Sequence, residues 1–269
     1  MRVHKMHACG NDYCLVAYEP GIDYKELAIK LCNRKLGVGA EGLIVVKQNP
    51  LEMLIYSPDG KKELMSGNGI RCFLYYCLDN NLIRKNKVDV IVGTGIVSLE
   101  IIQEIPFLCR VNMGKPNFNN QMIYVTDGLD TFGRVITVNN IQITTYSFNI
   151  GGVQTVIFVD DFDSKILDYA EDIANYKLFT RKTNVSFVKV VNKTNINVKT
   201  YEHTTGWVLA SGAGCCASVV AANKLGLTKG KVRANLEMGF LDVEIAKKDF
   251  VYLTGPAKKV FSCDYIEEE

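Results

Sequence analysis

The chain has 269 residues, 48% apolar and 22% charged, an ordinary globular composition that excludes a disordered polypeptide. Its formal charge of +2 leaves no footprint for nucleic acid, and the short basic stretch 84–87 (RKNK) reads as a solvated helix end. The length accommodates two domains, and largely apolar stretches such as 43–46 and 153–159 are strand length and far below a helical membrane span.

The first six residues lead straight into a motif with no apolar leader, and the nine cysteines form no CxxC pair or zinc-ligand spacing. They read as reduced, buried thiols, so a cytoplasmic protein without a metal is expected. Apolar spacing predicts a helix over 24–33 and a second over 70–82. A strand follows over 88–92, and the lone G-x-G at 93–95 reads as a turn and not a nucleotide loop. Further on come a strand over 136–145, a helix over 164–174, strands over 185–191 and 195–201, a helix over 216–225 and a strand over 241–246. Long runs of strands with few helices point to an α+β fold.

The chain also echoes itself. Tyr56 precedes Ser66 by ten residues, Tyr201 precedes Ser211 by ten, and both pairs are offset by 145. A turn lies between the members of each pair, and each serine opens a G-x-G followed by a helical segment. A repeat of this length is a duplicated domain and not a solenoid unit. A single S-G-x-G is most simply a helix N-cap. Two at matching places need a further reason, because capping does not require the pairing. A side chain held at a helix start lies beside first-turn amides that bind a carboxylate, and the glycines admit close approach.

Residues 6–13 (MHACGNDY), 33–43 (NRKLGVGAEGL), 59–72 with Ser66-Gly67-Asn68-Gly69, 183–188 (TNVSFV), 209–214 (LASGAG) and 254–257 (TGPA) together resemble the ordered sequence blocks of the diaminopimelate epimerase family. The resemblance spans residues 6 to 257. It implies two similar α+β domains, each a curved sheet around a central helix, with the active site in the cleft between them. The expected division is 1–115, completed by a C-terminal strand over 256–269, and 116–255. It also implies an amino-acid racemase or epimerase that uses no cofactor. Its expected partner is a small amino-acid substrate, with a homodimer as the one protein assembly considered, and neither nucleic acid nor membrane.

In that family the residues matching Ser66 and Ser211 are cysteines. One thiolate removes the α-proton and the other thiol protonates the opposite face. The resemblance assigns substrate binding to Asn11, Gly67, Asn68, Asn184, Glu202, Gly212 and Ala213, with Glu202 pairing the reacting ammonium. A serine hydroxyl holds no usable anion fraction at neutral pH, so the chain as it stands is expected to be nearly inert. Deliberate replacement of both cysteines is the leading explanation. The alternatives are a natural non-catalytic relative that binds amino acids, and a one-base isomerase or dehydratase.

The distal end of the expected pocket departs from the family. Where an arginine grips the second carboxylate of diaminopimelate the chain has His203, which cannot form a bidentate guanidinium fork. Ser57 stands in place of an asparagine, a Gly-Asn-Pro-His block becomes Gly151-Gly152-Val153-Gln154, and Trp207 replaces a smaller acidic residue. These four residues, Ser57, Gln154, His203 and Trp207, are read as specificity determinants for a single-headed amino acid. Histidine is the expected substrate and diaminopimelate the alternative.

Overall fold

The computed structural model describes residues 1–266, and the chain divides into two compact units. One runs from Met1 to Val111 and resumes at Gly255; the other is Asn112–Thr254.

The first unit opens with the hairpin β1 (Arg2–Ala8) and β2 (Asn11–Ala17), turned at Cys9 and Gly10, both at positive φ. Helix α1 (Tyr24–Cys32) starts where Asp23 accepts from the amides of Lys25 and Glu26. It buries Leu27, Ala28 and Leu31 at helical spacing and leads to β3 (Gly42–Lys47), parallel to β2. Then follow β4 (Glu52–Tyr56), antiparallel to β3, the short β5 (Lys62–Glu63) and helix α2 (Gly67–Asp79). Strands β6 (Lys87–Val92), β7 (Gly95–Gln103) and β8 (Leu108–Asn112) complete an antiparallel meander.

The second unit repeats this order behind a short entry helix, α3 (Asn120–Ile123), and an added strand, β9 (Phe132–Val138). Strands β10 (Ile141–Asn149) and β11 (Val153–Phe158) form the opening hairpin. A 3₁₀ turn and helix α4 (Ala170–Ala174) lead to β12 (Asn184–Asn192), parallel to β11. Antiparallel β13 (Asn195–Glu202), the short β14 (Gly206–Val208) and helix α5 (Gly212–Lys224) come next. Strands β15 (Lys231–Leu236), β16 (Gly239–Ile245) and β17 (Val251–Pro256) follow, and the chain returns to pair β18 (Lys258–Asp264) with β1. Residues 267–269 of the expected closing strand lie outside the described residues.

The duplication therefore extends to hydrogen-bond register. Tyr13 lies beside Gly42 and Leu43 opposite Tyr56 in one unit; Gln154 lies beside Asn184 and Val185 opposite Tyr201 in the other. Each sheet wraps one central helix. Helix α2 buries Ile70, Phe73, Leu74 and Cys77 at the i, i+3, i+4, i+7 spacing of a single face. In α5 small residues allow burial on every side, without a break from Gly214 to Ala222.

Four expectations from the sequence are corrected. Both central helices begin three or four residues earlier than periodicity predicts, at Gly67 and Gly212, because glycine's poor helix propensity masks a first turn held by its serine cap. Helix α2 also ends at Asp79, short of the predicted residue 82, where Asn81 turns to positive φ. The strand predicted over 136–145 is a hairpin, β9–β10, turned by Asn139 and Asn140, whose φ angles of 47° and 64° suit a tight two-residue turn. Only Ala170–Ala174 of the predicted 164–174 helix is α-helical. All nine cysteines are free and eight are buried. No helix among the described residues is long and apolar enough to cross a membrane.

Candidate active site

In the first unit the group forms where β2 runs beneath the start of α2. Ser66 takes extended backbone angles and caps the helix, its Oγ accepting from the Gly69 amide at 3.0 Å while its carbonyl accepts from Ile70. The same Oγ lies 2.9 Å from the Tyr13 hydroxyl. Successive side chains alternate across a strand, so Asn11 shares a face with Tyr13, the face toward Ser66. Asn11 is buried at the first residue of β2. Asn68 is buried in the first turn of α2, where Arg71 donates to its Oδ1 at 2.8 Å.

Arg71 is fully buried, and its guanidinium also donates to the carbonyls of Gly67 and Pro256. A buried guanidinium is tolerated only when its donors are used in this way. It orients the amide of Asn68 from one turn away. Sequence reasoning assigned a role to neither Arg71 nor Tyr13. The available signals were the i, i+3 spacing of Arg71 from Asn68 and the two-residue spacing of Tyr13 from Asn11.

Ser57 occupies a different setting in this unit. Its hydroxyl hydrogen-bonds to Asp59 and to the carbonyl of Lys61, closing the turn after β4. Lys61 and Ser57 hold the exposed Asp59 carboxyl down to about 2. The hydroxyl is thus engaged by its own turn.

In the second unit Ser211 caps α5 with the same backbone geometry, its Oγ accepting from the Gly214 amide at 3.2 Å and its carbonyl from Cys215. Gly212 and Ala213 form the first turn and supply the amides beyond those the cap uses. A Cβ on Gly214 would come within 2.7 Å of Ser186 Oγ and 2.8 Å of Thr200 Oγ1, so only glycine lets α5 settle on this pair of hydroxyls.

Beside that pair, Asn184 opens β12 and lies next to Gln154 in the parallel register. Asn184 Oδ1 accepts from the His203 backbone amide at 3.1 Å and sits 2.8 Å from His203 Nδ1. An amide oxygen can only accept, which places the imidazole proton on Nδ1 and leaves Nε2 as an acceptor. Burial, reinforced by Lys182, lowers the His203 pKa from its ordinary value, with Glu202 opposing, so the ring is neutral at neutral pH. Glu202 ends β13 next to His203, and the Thr205 hydroxyl donates to its carboxylate at 3.4 Å.

Gln154 is fully buried, and neither its Nε2 nor its Oε1 has a hydrogen-bond partner among the described residues. Leaving a buried amide unpaired costs roughly 1–3 kcal/mol per group, so such a residue calls for an explanation outside packing.

Trp207 does not join this group. It lies opposite Tyr201, one residue out of step with the Thr200–Val208 pair, so it points to the sheet face away from Gly214 and α5. There it packs at 5.8 Å from Phe187 and 5.6 Å from Tyr201, with 49% of its surface exposed. Cys72 and Cys215, the thiols nearest the two serines in sequence, are fully buried. Burial also pushes Cys72 far above the ordinary thiol range. A groove of about 830 Å³ in this unit surrounds Lys224, in the last turn of α5 and at the opposite end of the helix from Ser211. The Lys224 ammonium is already engaged over the rings of Phe118 and Phe132. No cluster of metal-ligating side chains occurs among the described residues.

The family profile described as Diaminopimelate epimerase matches residues 3–119 and 146–260. A protein named diaminopimelate epimerase from Halothermothrix orenii is 35% identical over 98% of both chains. One of the same name from Clostridium perfringens is 36% identical, again over 98% of both. Among solved structures, a phenazine biosynthesis protein of the PhzF family from Bacillus anthracis superposes with a TM-score of 0.72 at 12% identity, over 99% of both chains. A hydroxyproline epimerase from Agrobacterium vitis does so with a TM-score of 0.66 at 13% identity, over 98% of this chain and 91% of that one. These two show a shared fold alone. The profile match and the full-length identity together show that the chain belongs to the diaminopimelate epimerase family and is an isomerase of the epimerase and racemase class.

Proposed function

We propose that the chain is a cofactor-independent, two-base racemase scaffold for a single-headed amino acid with a neutral polar side chain, histidine first, and that serine at positions 66 and 211 leaves it able to bind substrate but not to turn it over. The observation that carries the substrate reading is Gln154. A fully buried amide with both ends unpaired, beside the Asn184 that pairs with a neutral His203, can donate to or accept from an uncharged polar group. None of these three residues supplies a positive charge for a second carboxylate. An imidazole can satisfy both ends of such a site, since it carries one donor and one acceptor. Trp207 is left out of this reading because it lies on the other face of its sheet.

With thiols at both positions the steps balance. A thiolate takes the α-proton, the carbanion's charge spreads into the carboxylate, and the second thiol protonates the carbon from the opposite side. One thiolate and one thiol remain, with their places exchanged. First-turn amides of the two capped helices are proposed to hold the carboxylate, where charge develops in the transition state. The scheme requires both positions to reach one α-carbon. Serine keeps the caps and removes the acid–base pair.

The experiment is α-proton exchange in deuterium oxide for the chain as it stands and for its Ser66→Cys/Ser211→Cys double variant. Histidine, meso-diaminopimelate and a panel of small amino acids are offered to each. The double variant is expected to exchange histidine faster than the parent by a factor of about 10² to 10⁴, the usual worth of a positioned acid–base group. A double variant as inert as its parent across the panel overturns the racemase reading. Diaminopimelate is the second reading, favoured by relatives of that name at 35% identity over the full length. Exchange confined to meso-diaminopimelate would establish it in place of histidine.

A further inference from the structure

Tyr13 and Gln154 occupy equivalent places in the two units, each beside the first residue of the parallel strand that leads to the helix cap. Their relation to the capping side chain differs. The Tyr13 hydroxyl reaches Ser66 Oγ at 2.9 Å, whereas Ser211 Oγ is hydrogen-bonded to the Gly214 amide and not to Gln154. We infer that Tyr13 is a positioning residue that stabilises the anionic form of the acid–base group at position 66, making that position, and not 211, the resting base. The inference rests on the two-base reading above.

The geometry around Tyr13 is built for this contact. The ring is buried at the third residue of β2, with Gly42 beside it; a Cβ on Gly42 would press to 3.3 Å on the ring. Asn184, at the equivalent place in the second unit, lies beside the slimmer Gln154. Burial, opposed by the bond to Ser66, drives the phenol's pKa well above its ordinary value, so the hydroxyl is a donor throughout the working range of a thiol. Cys72, Glu41 and Glu63 raise it further. The other charge near the cap is Arg71, whose guanidinium is turned to Gly67, Asn68 and Pro256. A thiolate at position 66 would therefore accept from the Gly69 amide and the phenol, while one at 211 would accept from the Gly214 amide alone among these groups. Hydrogen bonds to the charged form lower a pKa.

A two-base site always holds one thiolate and one thiol, and a donor on one side decides which is which before substrate arrives. The free enzyme would then be set to deprotonate one enantiomer and would need its proton moved before accepting the other.

The test places single thiols with Ser66→Cys and Ser211→Cys, each with and without Tyr13→Phe. It follows alkylation by iodoacetamide against pH, resolved by peptide mass spectrometry. Removing the phenol hydroxyl is expected to raise the midpoint at position 66 by about one pH unit and to leave that at 211 unchanged. No rise at 66, or an equal rise at both, overturns the inference. Should Tyr13→Phe fold poorly, global replacement of tyrosine by 3-fluorotyrosine gives a stronger donor of nearly the same shape. It must then lower the midpoint at 66 relative to 211, and no lowering overturns the inference equally. An inert double-cysteine variant would sink the racemase reading without touching this shift. A racemising one with an unmoved midpoint would remove Tyr13 alone.

Discussion

Under the cap of α2 the paired sheet residues are Ile44 and Ile55; at the equivalent places under α5 they are Ser186 and Thr200. The backbone motif above them is the same in both units: serine in an extended conformation, its Oγ on the third amide, its carbonyl on the fourth. Duplication thus preserved the cap and let its surroundings diverge. In the first unit an apolar floor, a phenol and a buried guanidinium fix the cap and Asn68. In the second, a hydroxyl floor lies near an unpaired amide and a neutral imidazole. The geometry of the capping serine is thus common to the two units, and the chemistry around it is not.

Packing is the most forceful way to break the comparison. Gly214→Ala drives a methyl to within 2.8 Å of two hydroxyl oxygens that are themselves bonded to each other at 3.0 Å. Overpacking of this kind is expected to cost about 1–3 kcal/mol, read as a lower urea midpoint. The equivalent Gly69→Ala meets a terminal methyl of Ile44 at 3.1 Å, which can swing aside. Alanine's helix propensity offsets the contact, so a change within about 1 kcal/mol of zero is expected. Equal losses at both sites would mean that the two floors are mechanically the same.

Removing the caps tests the next level. Ser211→Ala should cost about 1 kcal/mol, the usual value of an N-cap. Ser66→Ala loses the same cap and also strands the buried Tyr13 hydroxyl, adding about 1 kcal/mol or more. The second substitution should therefore lower the thermal midpoint further. If Tyr13→Phe in the Ser66→Ala chain restores nothing, the phenol was not relying on the serine.

Much of this contrast was legible in the sequence and part was not. The duplication, the paired S-G-x-G turns and the α+β class follow from spacing, because a cap motif and its glycines are local. The true starts of α2 and α5 were hidden because glycine carries no helical signal of its own. Trp207 was misplaced for a related reason. Its position in the chain sits near Glu202 and His203, but strand pleating turns it to the other face, and one residue of register decides that. Tyr13 lies 53 residues from Ser66, and Arg71 is 185 from Pro256. Partnerships at such separations depend on strand pairing, which no local pattern states. Gln154 was found for a chemical reason, as a departure from a family block, while its burial without partners required the fold.

The smallest effect concerns acid. All three histidines have pKa values lowered chiefly by burial: His4 and His7 in the first unit, with Lys259 and Lys258 adding to the effect, and His203 in the second, with Lys182. A lowered value in the fold means that the unfolded chain takes up protons first as pH drops below about 6.5. Stability is then whole above that pH and declines between the unfolded value and the lower folded ones. His203→Gln should remove the second unit's share alone, since glutamine can still donate to Asn184 Oδ1 without becoming charged. Thermal midpoints taken at about pH 7.5 and about pH 5.5 should therefore lie closer together in His203→Gln than in the parent, with the difference from His4 and His7 remaining. If the variant loses as much on acidification as the parent, the imidazole is not held neutral by its burial beside Lys182. The second unit's polar group would then admit a proton, and with it a substrate carrying negative charge, which would restore the case for a dicarboxylate at the place where the family's arginine is missing.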